Sequence, residues 1–395
     1  MDTKTIQRRY DLDWLRVFGI LTVFIYHSAR FFNLEDWHIK NPTTYLSIEV
    51  WEIMLANWMM PLMFAISGAS LFFALGRGSV GKFIKDKVLR LVVPLVMLGM
   101  VIFGSWQIYL ERLTHGEISG SFFEFIPQYF QPGIFDTAGV HLWYLKMLFS
   151  FSLISLPLFL WLKRGSGQRL LVRLGDLLAS RGAVYLLALP TILFLILTDR
   201  ESYWGGLGWG GGSILTHATF FVSGFLIVSH EGLPKNIQRF RWLSLASGMV
   251  LLAAMFSLLM AFGEPAFGTP LYAPAFTLWG LSSWCWVLTI LGFSMKHLNS
   301  NKSLLSYTNE AVLPFYILHQ PVLLSVGYFV VQWAIPDFMK WIIIFASSFA
   351  VIMTIYEFVV RRVNAIRFLF GMKLRVKPVA AQTKETQLKG AARTM

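Results

Sequence analysis

Charge is scarce in this 395-residue chain: 14% of residues are Asp, Glu, Lys or Arg, against roughly 25% in a soluble domain. Cysteine is nearly absent. Cys285 is the single one, so neither an intrachain disulfide nor a cysteine-based zinc site can form. No P-loop, G-x-S-x-G elbow, H-E-x-x-H pair or dinucleotide fingerprint occurs, which argues against a nucleotide-hydrolysing pump. Polar linkers long enough for a soluble domain are missing as well. Apolar residues make up 56% of the chain and aromatic residues 16%. These proportions exclude disorder, collagen and coiled coil, and leave an all-α, polytopic transmembrane helical bundle.

Apolar runs of membrane-spanning length recur about ten times, near 14–32, 51–75, 91–110, 140–162, 182–198, 213–229, 242–262, 272–294, 312–334 and 341–360. The fifth is the shortest. Ten crossings put both termini on one side. On that side fall 28 of the 34 Lys and Arg residues, with six on or toward the other, so the positive-inside rule makes the termini cytoplasmic. The opposite loops are acidic. The formal charge of +13 is therefore a topology signal first, and no nucleic-acid partner is expected. The first run lacks a small-x-small cleavage site, so it reads as a retained span. Residues 1–372 form one transmembrane domain, and 373–395 read as a disordered basic cytoplasmic tail.

Ionisable groups within spans are costly and so mark candidate sites. Arg16 opens the first span, and His27 follows eleven residues later on the same helix face, about 16 Å further along. Asp13 lies one turn before Arg16 and can pair with it. The bland alternative is a snorkelling arginine and a packed histidine. His319 sits near mid-membrane between Pro314 and Pro321, which loosen a helix and free carbonyls; a kinked packing helix is the other reading. Ser67-Gly68 either lets helices approach closely or forms a narrow wall for a slender ligand. Lys87 and Arg90, three apart, either hold phosphates or simply obey topology. On the outer side, His141 and Trp143 open the fourth span, Trp204 and Trp209 lie in a Gly-rich loop, and His217 begins the sixth. They form an interfacial aromatic belt or a sugar-stacking surface. No metal site is expected.

Five stretches carry a resemblance: Arg9-Tyr10-x-Leu12-Asp13-x-x-Arg16 with ten residues before His27; Phe64-x-Ile66-Ser67-Gly68; Lys87-x-x-Arg90 leading to Pro94; His141-Leu142-Trp143-Tyr144-Leu145; and Pro314-Phe315-Tyr316-Ile317-Leu318-His319-Gln320. In this order they resemble the integral-membrane acyltransferase-3 family, most of all its glucan succinyltransferase branch, over roughly residues 8–325. Two positions depart from the family's pattern: Lys87 where arginine is frequent, and Tyr144 where phenylalanine is. The resemblance implies transfer of an acyl group, succinyl or acetyl, from cytoplasmic acyl-CoA to a hydroxyl of an extracytoplasmic carbohydrate, in a multi-pass protein of the bacterial inner membrane. Acyl-CoA is then the co-substrate, and the partners are the carbohydrate acceptor and the lipid bilayer. Arg16, Ser67, Gly68, Lys87 and Arg90 fall to the donor. His27 becomes the general base and His319 the oxyanion donor. His141, Trp143, Trp204, Trp209 and His217 fall to the acceptor. A secondary transporter or glycolipid flippase is the competing expectation, since it too places ionisable groups at mid-membrane.

Overall fold

A computed structural model describes residues 8–75, 78–135, 140–202 and 212–375. Trp204, Trp209 and the tail beyond Arg375 lie outside the described residues. Helices dominate throughout, and no strand occurs among the described residues. Backbone amides within a bilayer must be satisfied internally, and helices do this residue by residue.

Among the described residues, six helices are long and apolar enough to cross a membrane: Leu46–Ala74, Val80–Thr114, Gly232–Phe262, Tyr272–His297, Ser303–Val330 and Asp337–Val360. A seventh crossing arises if α7 (Trp143–Ile154) and α8 (Leu156–Leu162), bent by 48° at Ser155, count as one. The break falls where Pro157 enters the first turn of α8, a position at which proline lacks no needed hydrogen bond. Length and apolarity thus support fewer crossings than the ten expected. The remaining expected segments fall on α1 (Tyr10–Ala29) and on the shorter apolar helices α10 (Ala188–Leu197) and α11 (Ile214–Ser229). α1 falls short on composition, because Asp11, Asp13 and Arg16 crowd its first two turns.

α1 packs beside α3 (Met59–Ala74) and α14 (Ser303–Val330) at the centre of the bundle. α3 in turn lies along α11 at unusually short range. A Cβ on Gly68 would sit 1.7 Å from the Phe221 carbonyl oxygen, and one on Gly224 would sit 1.9 Å from that of Ala65. Two small residues facing each other's backbones permit the close crossing. The C-terminal end of α3 is closed by Lys163, whose ammonium donates to the carbonyls of Phe72 (2.7 Å) and Leu75 (2.6 Å).

The helix that begins as α4 (Val80–Lys87) widens into π-helical turns over Val88–Val92 and Leu95–Phe103, and tightens again into α5 (Gly104–Thr114). Pro94, with no N–H to give, stands between the two wide stretches. Such turns are frequent at functional sites, and here they carry Arg90. α14, by contrast, remains one continuous helix through both of its prolines. The expected loosening is absent: the helix runs unbroken through both prolines, with the His141 imidazole beside the Ile317 carbonyl that Pro321 frees.

At the other end of the bundle the 30–45 loop is tied down by buried polar groups. Asn33 donates to Glu52 at 2.7 Å, Lys40 donates to the carbonyls of Arg30 and Asn33, and Lys340 donates to Asn41 at 2.9 Å. The last tie joins this loop to α15 (Asp337–Ile355).

Candidate active site

α1 supplies the axis of the site. Arg16, Ile20, Val23 and His27 recur at helical spacing along one face. Arg16 is held by Asp13 at 2.6 Å and by the Ser70 hydroxyl of α3. Its guanidinium opens into a cavity of about 530 Å³ that Lys82, Lys87 and Arg90 also line. Among the described residues of that lining, Asp86 is the single carboxylate, so the mouth is strongly cationic. No carboxylate lies within ion-pairing distance of Lys87 or Arg90 among the described residues. A concave cluster of cations in which Lys87 and Arg90 lack a carboxylate partner favours a multiply charged anion.

The same cavity is lined further along by Ser67, Tyr144 and Tyr316 and by the apolar Ile20, Met63 and Leu145. Here the Ser67 and Tyr144 hydroxyls are hydrogen-bonded to each other at 2.7 Å. Behind Tyr316 stands His319, the two rings stacked at 5.3 Å. His27 meets His319 edge-on, with ring centroids 5.0 Å apart. The two histidines, 292 positions apart in the chain, therefore form one pair between α1 and α14.

Both rings have a defined tautomer. His27 Nδ1 lies 2.9 Å from the Val23 carbonyl, and His319 Nδ1 lies 2.5 Å from the Tyr316 carbonyl. A carbonyl oxygen can only accept, so each Nδ1 carries the proton and each neutral Nε2 keeps its lone pair. His319 Nε2 is buried with no hydrogen-bond partner among the described residues. Both rings are thus set to accept protons. This differs from the expectation for His319: a neutral ring bonded through Nδ1–H has no second N–H with which to hold an oxyanion.

Beyond the pair lies a wall that the sequence reading did not single out. Trp37 stands 6.1 Å from the His27 ring, with the Arg30 guanidinium over its own ring. Beside it, Glu111 accepts from His38 Nδ1 at 2.6 Å, and the Gln320 amide reaches His38 Nε2 at 2.9 Å. Gln320 is the chain neighbour of His319, and that adjacency was the one available signal. Nothing in sequence connects His38 with Glu111 across 73 positions.

The residues assigned to the acceptor divide. His141 lies against α14: its carbonyl accepts from Tyr316 at 2.9 Å, and its Nδ1 accepts from Gln107 at 3.0 Å. His217 is fully buried, stacked on Phe64 at 4.7 Å and on Trp143 at 5.8 Å. Trp143 and His217 therefore belong to an aromatic stack between α3, α7 and α11. Gly68 does not line the cavity. It serves the α3–α11 crossing, while its neighbour Ser67 faces inward.

Comparison with known proteins follows this geometry. A family model described as an acyltransferase domain matches residues 9–357. Curated relatives named glucans biosynthesis protein C, from Salmonella paratyphi B and Salmonella dublin, are each 22% identical over 95% of this chain and 98% of their own length. The corresponding protein of Salmonella gallinarum is 23% identical over the same shares. No solved structure matches the chain. The matched region takes in α1 with its arginine and histidine, the cationic turn at Arg90 and the His319 segment, and the chain belongs to the acyltransferase-3 family of multi-pass membrane acyltransferases.

Proposed function

We propose that this acyltransferase moves an acyl group, succinyl or acetyl, from cytoplasmic acyl-CoA to a hydroxyl of an extracytoplasmic carbohydrate such as a periplasmic glucan. The observation that carries the reading is the adjacency of the cationic cavity to the histidine pair. The Ser67–Tyr144 hydroxyl pair and Tyr316 line the cavity, and the Tyr316 ring stacks on His319, which meets His27; the Nε2 atoms of both imidazoles accept protons. In this reading Arg16, Lys87 and Arg90 hold the donor's phosphates, and Ser67 flanks its pantetheine arm. Family membership decides against the transporter alternative, because it supplies an enzyme class that uses such a base.

The chemistry follows from the tautomers. The acceptor hydroxyl attacks the thioester carbonyl, and His27 Nε2 takes its proton. The new C–O bond forms, the C–S bond breaks, and the proton passes to the departing thiolate to give CoA thiol. His319 Nε2, a second acceptor beside it, can share the proton in transit. The Ser67 hydroxyl, from the family's Ser-Gly stretch, is the candidate donor for the developing oxyanion. Trp37, His38 and Gln320 form the face from which a sugar approaches, with the Trp37 ring available for stacking. This moves the acceptor assignment away from His217. The names of the relatives, which speak of glucans, support the acceptor class.

Mass spectrometry of envelope glycans from cells with and without the gene reports acyl mass and acceptor together. A mass increment on a glucan that disappears with the gene is the expected result; unchanged glycans in both strains overturn the acceptor assignment.

A further inference from the structure

One segment that lines the cavity mouth lies beyond the residues the family model matches. After α16 (Asn364–Leu369) the chain turns at Gly371, with φ +64°, and runs to Arg375. A Cβ on Gly371 would lie 2.5 Å from the Arg90 carbonyl oxygen. Only glycine combines this left-handed backbone with so close an approach. The segment is pinned from both sides. Arg367, 4% exposed, donates through Nε to the Lys373 carbonyl at 2.8 Å, through Nη1 to the Arg361 carbonyl at 3.2 Å and through Nη2 to Glu310 at 2.8 Å. Asn364 and Arg375 exchange two hydrogen bonds, at 2.9 and 3.1 Å. Lys373 is thereby carried to the rim of the cavity that Arg16, Lys87 and Arg90 line, and no carboxylate pairs with it among the described residues.

A buried arginine with three acceptors is an expensive device for fixing a surface turn. Its effect is to hold an exposed, unpaired ammonium on the lining of the cavity that Arg90 also lines, while the neighbouring cation Arg375 stays off that lining. We infer that Lys373 is a donor-binding residue, pairing with a phosphate at the nucleotide end of the acyl donor. The inference rests on the acyl-CoA reading and extends it to a segment beyond the matched residues 9–357.

Binding of CoA to the purified full-length protein in detergent tests it, with wild type compared with Lys373→Ala, Lys373→Arg and Arg375→Ala. One charge-assisted contact at a rim predicts about five- to twentyfold weaker binding for Lys373→Ala, recovery in Lys373→Arg, and wild-type affinity in Arg375→Ala. If wild type binds CoA and Lys373→Ala binds it equally well, the inference is overturned while the donor reading stands. An equal loss in Arg375→Ala also overturns it, since the effect is then general charge. If wild type and all variants fail to bind CoA, the donor reading falls and takes this inference with it.

Discussion

The Val23 and Tyr316 carbonyls decide what the two central histidines can do, because each takes the Nδ1 proton of one ring and leaves Nε2 bare. Oxyanion stabilisation must then come from elsewhere, and Ser67 is the testable candidate, since Tyr144 stands where the family frequently has phenylalanine. Ser67→Ala removes only the hydroxyl that meets Tyr144 at 2.7 Å. The expected result is a fall in kcat of about 10²–10³-fold with little change in donor KM; an unchanged kcat assigns the oxyanion to other groups. Arg16→Ala should act oppositely, raising donor KM by about tenfold or more with a smaller effect on kcat. Lys40 offers a test by pH. Burial, with the Arg30 guanidinium adding to it, pushes its ammonium from the usual 10.5 down to about 8. Below pH 8 the amine is charged in folded and unfolded chains alike, and the burial penalty is present in full. Between about pH 8 and 10.5 the folded chain releases the proton first, so stability relative to Lys40→Met rises across that window. Thermal melts of both proteins at pH 7.5 and 9.5 check the sign, and a relative fall contradicts it. At this level much of the site was legible: ionisable residues inside apolar runs are rare, and Arg16, His27 and His319 stood out for that reason. His38 and Glu111 did not, because they lie in loops or near helix ends, where charge is ordinary.

Helix contacts were harder to read. Gly68 carried two meanings in sequence, ligand wall or packing surface, and only the partner helix distinguishes them. The Phe221 carbonyl occupies the place of a Cβ at Gly68, so the role is packing. Gly68→Ala must push α3 and α11 apart, and should lower the melting temperature by several degrees or abolish recovery of monodisperse protein. Gly81→Ala, where a Cβ meets nothing within 4 Å, is the control and should melt like wild type. A Gly68→Ala protein as stable as that control contradicts the assignment. The prolines of α14 show the same limit in reverse. Their sequence reading, a loosened helix, follows from the missing N–H groups alone. The fold brings the His141 imidazole beside the Ile317 carbonyl that Pro321 frees, a neighbour whose position no local pattern reveals. The joining of His27 to His319 likewise depends on α1 lying against α14, a contact between segments almost 300 residues apart.

Across the whole molecule, the excess of cations behind the charge of +13 includes a small set gathered around one cavity. Among the described residues, helix length and apolarity account for six or seven crossings, and the basic loops propose which side is cytoplasmic. The lone cysteine, Cys285, is buried, so cysteines introduced into a Cys285→Ser background report topology directly. Arg169→Cys should be blocked only by a reagent that crosses the membrane, and Glu117→Cys by an impermeant one from outside; the reverse pattern inverts the orientation. The claim at the centre of the account is that a proton-accepting imidazole stands where the cationic cavity meets the acceptor face. Acyl transfer from acyl-CoA to a soluble glucan by purified His27→Ala protein tests it most directly. The predicted result is a loss of about 10²–10⁴-fold in kcat relative to wild type, with donor affinity retained. Turnover by His27→Ala at the wild-type rate would contradict it.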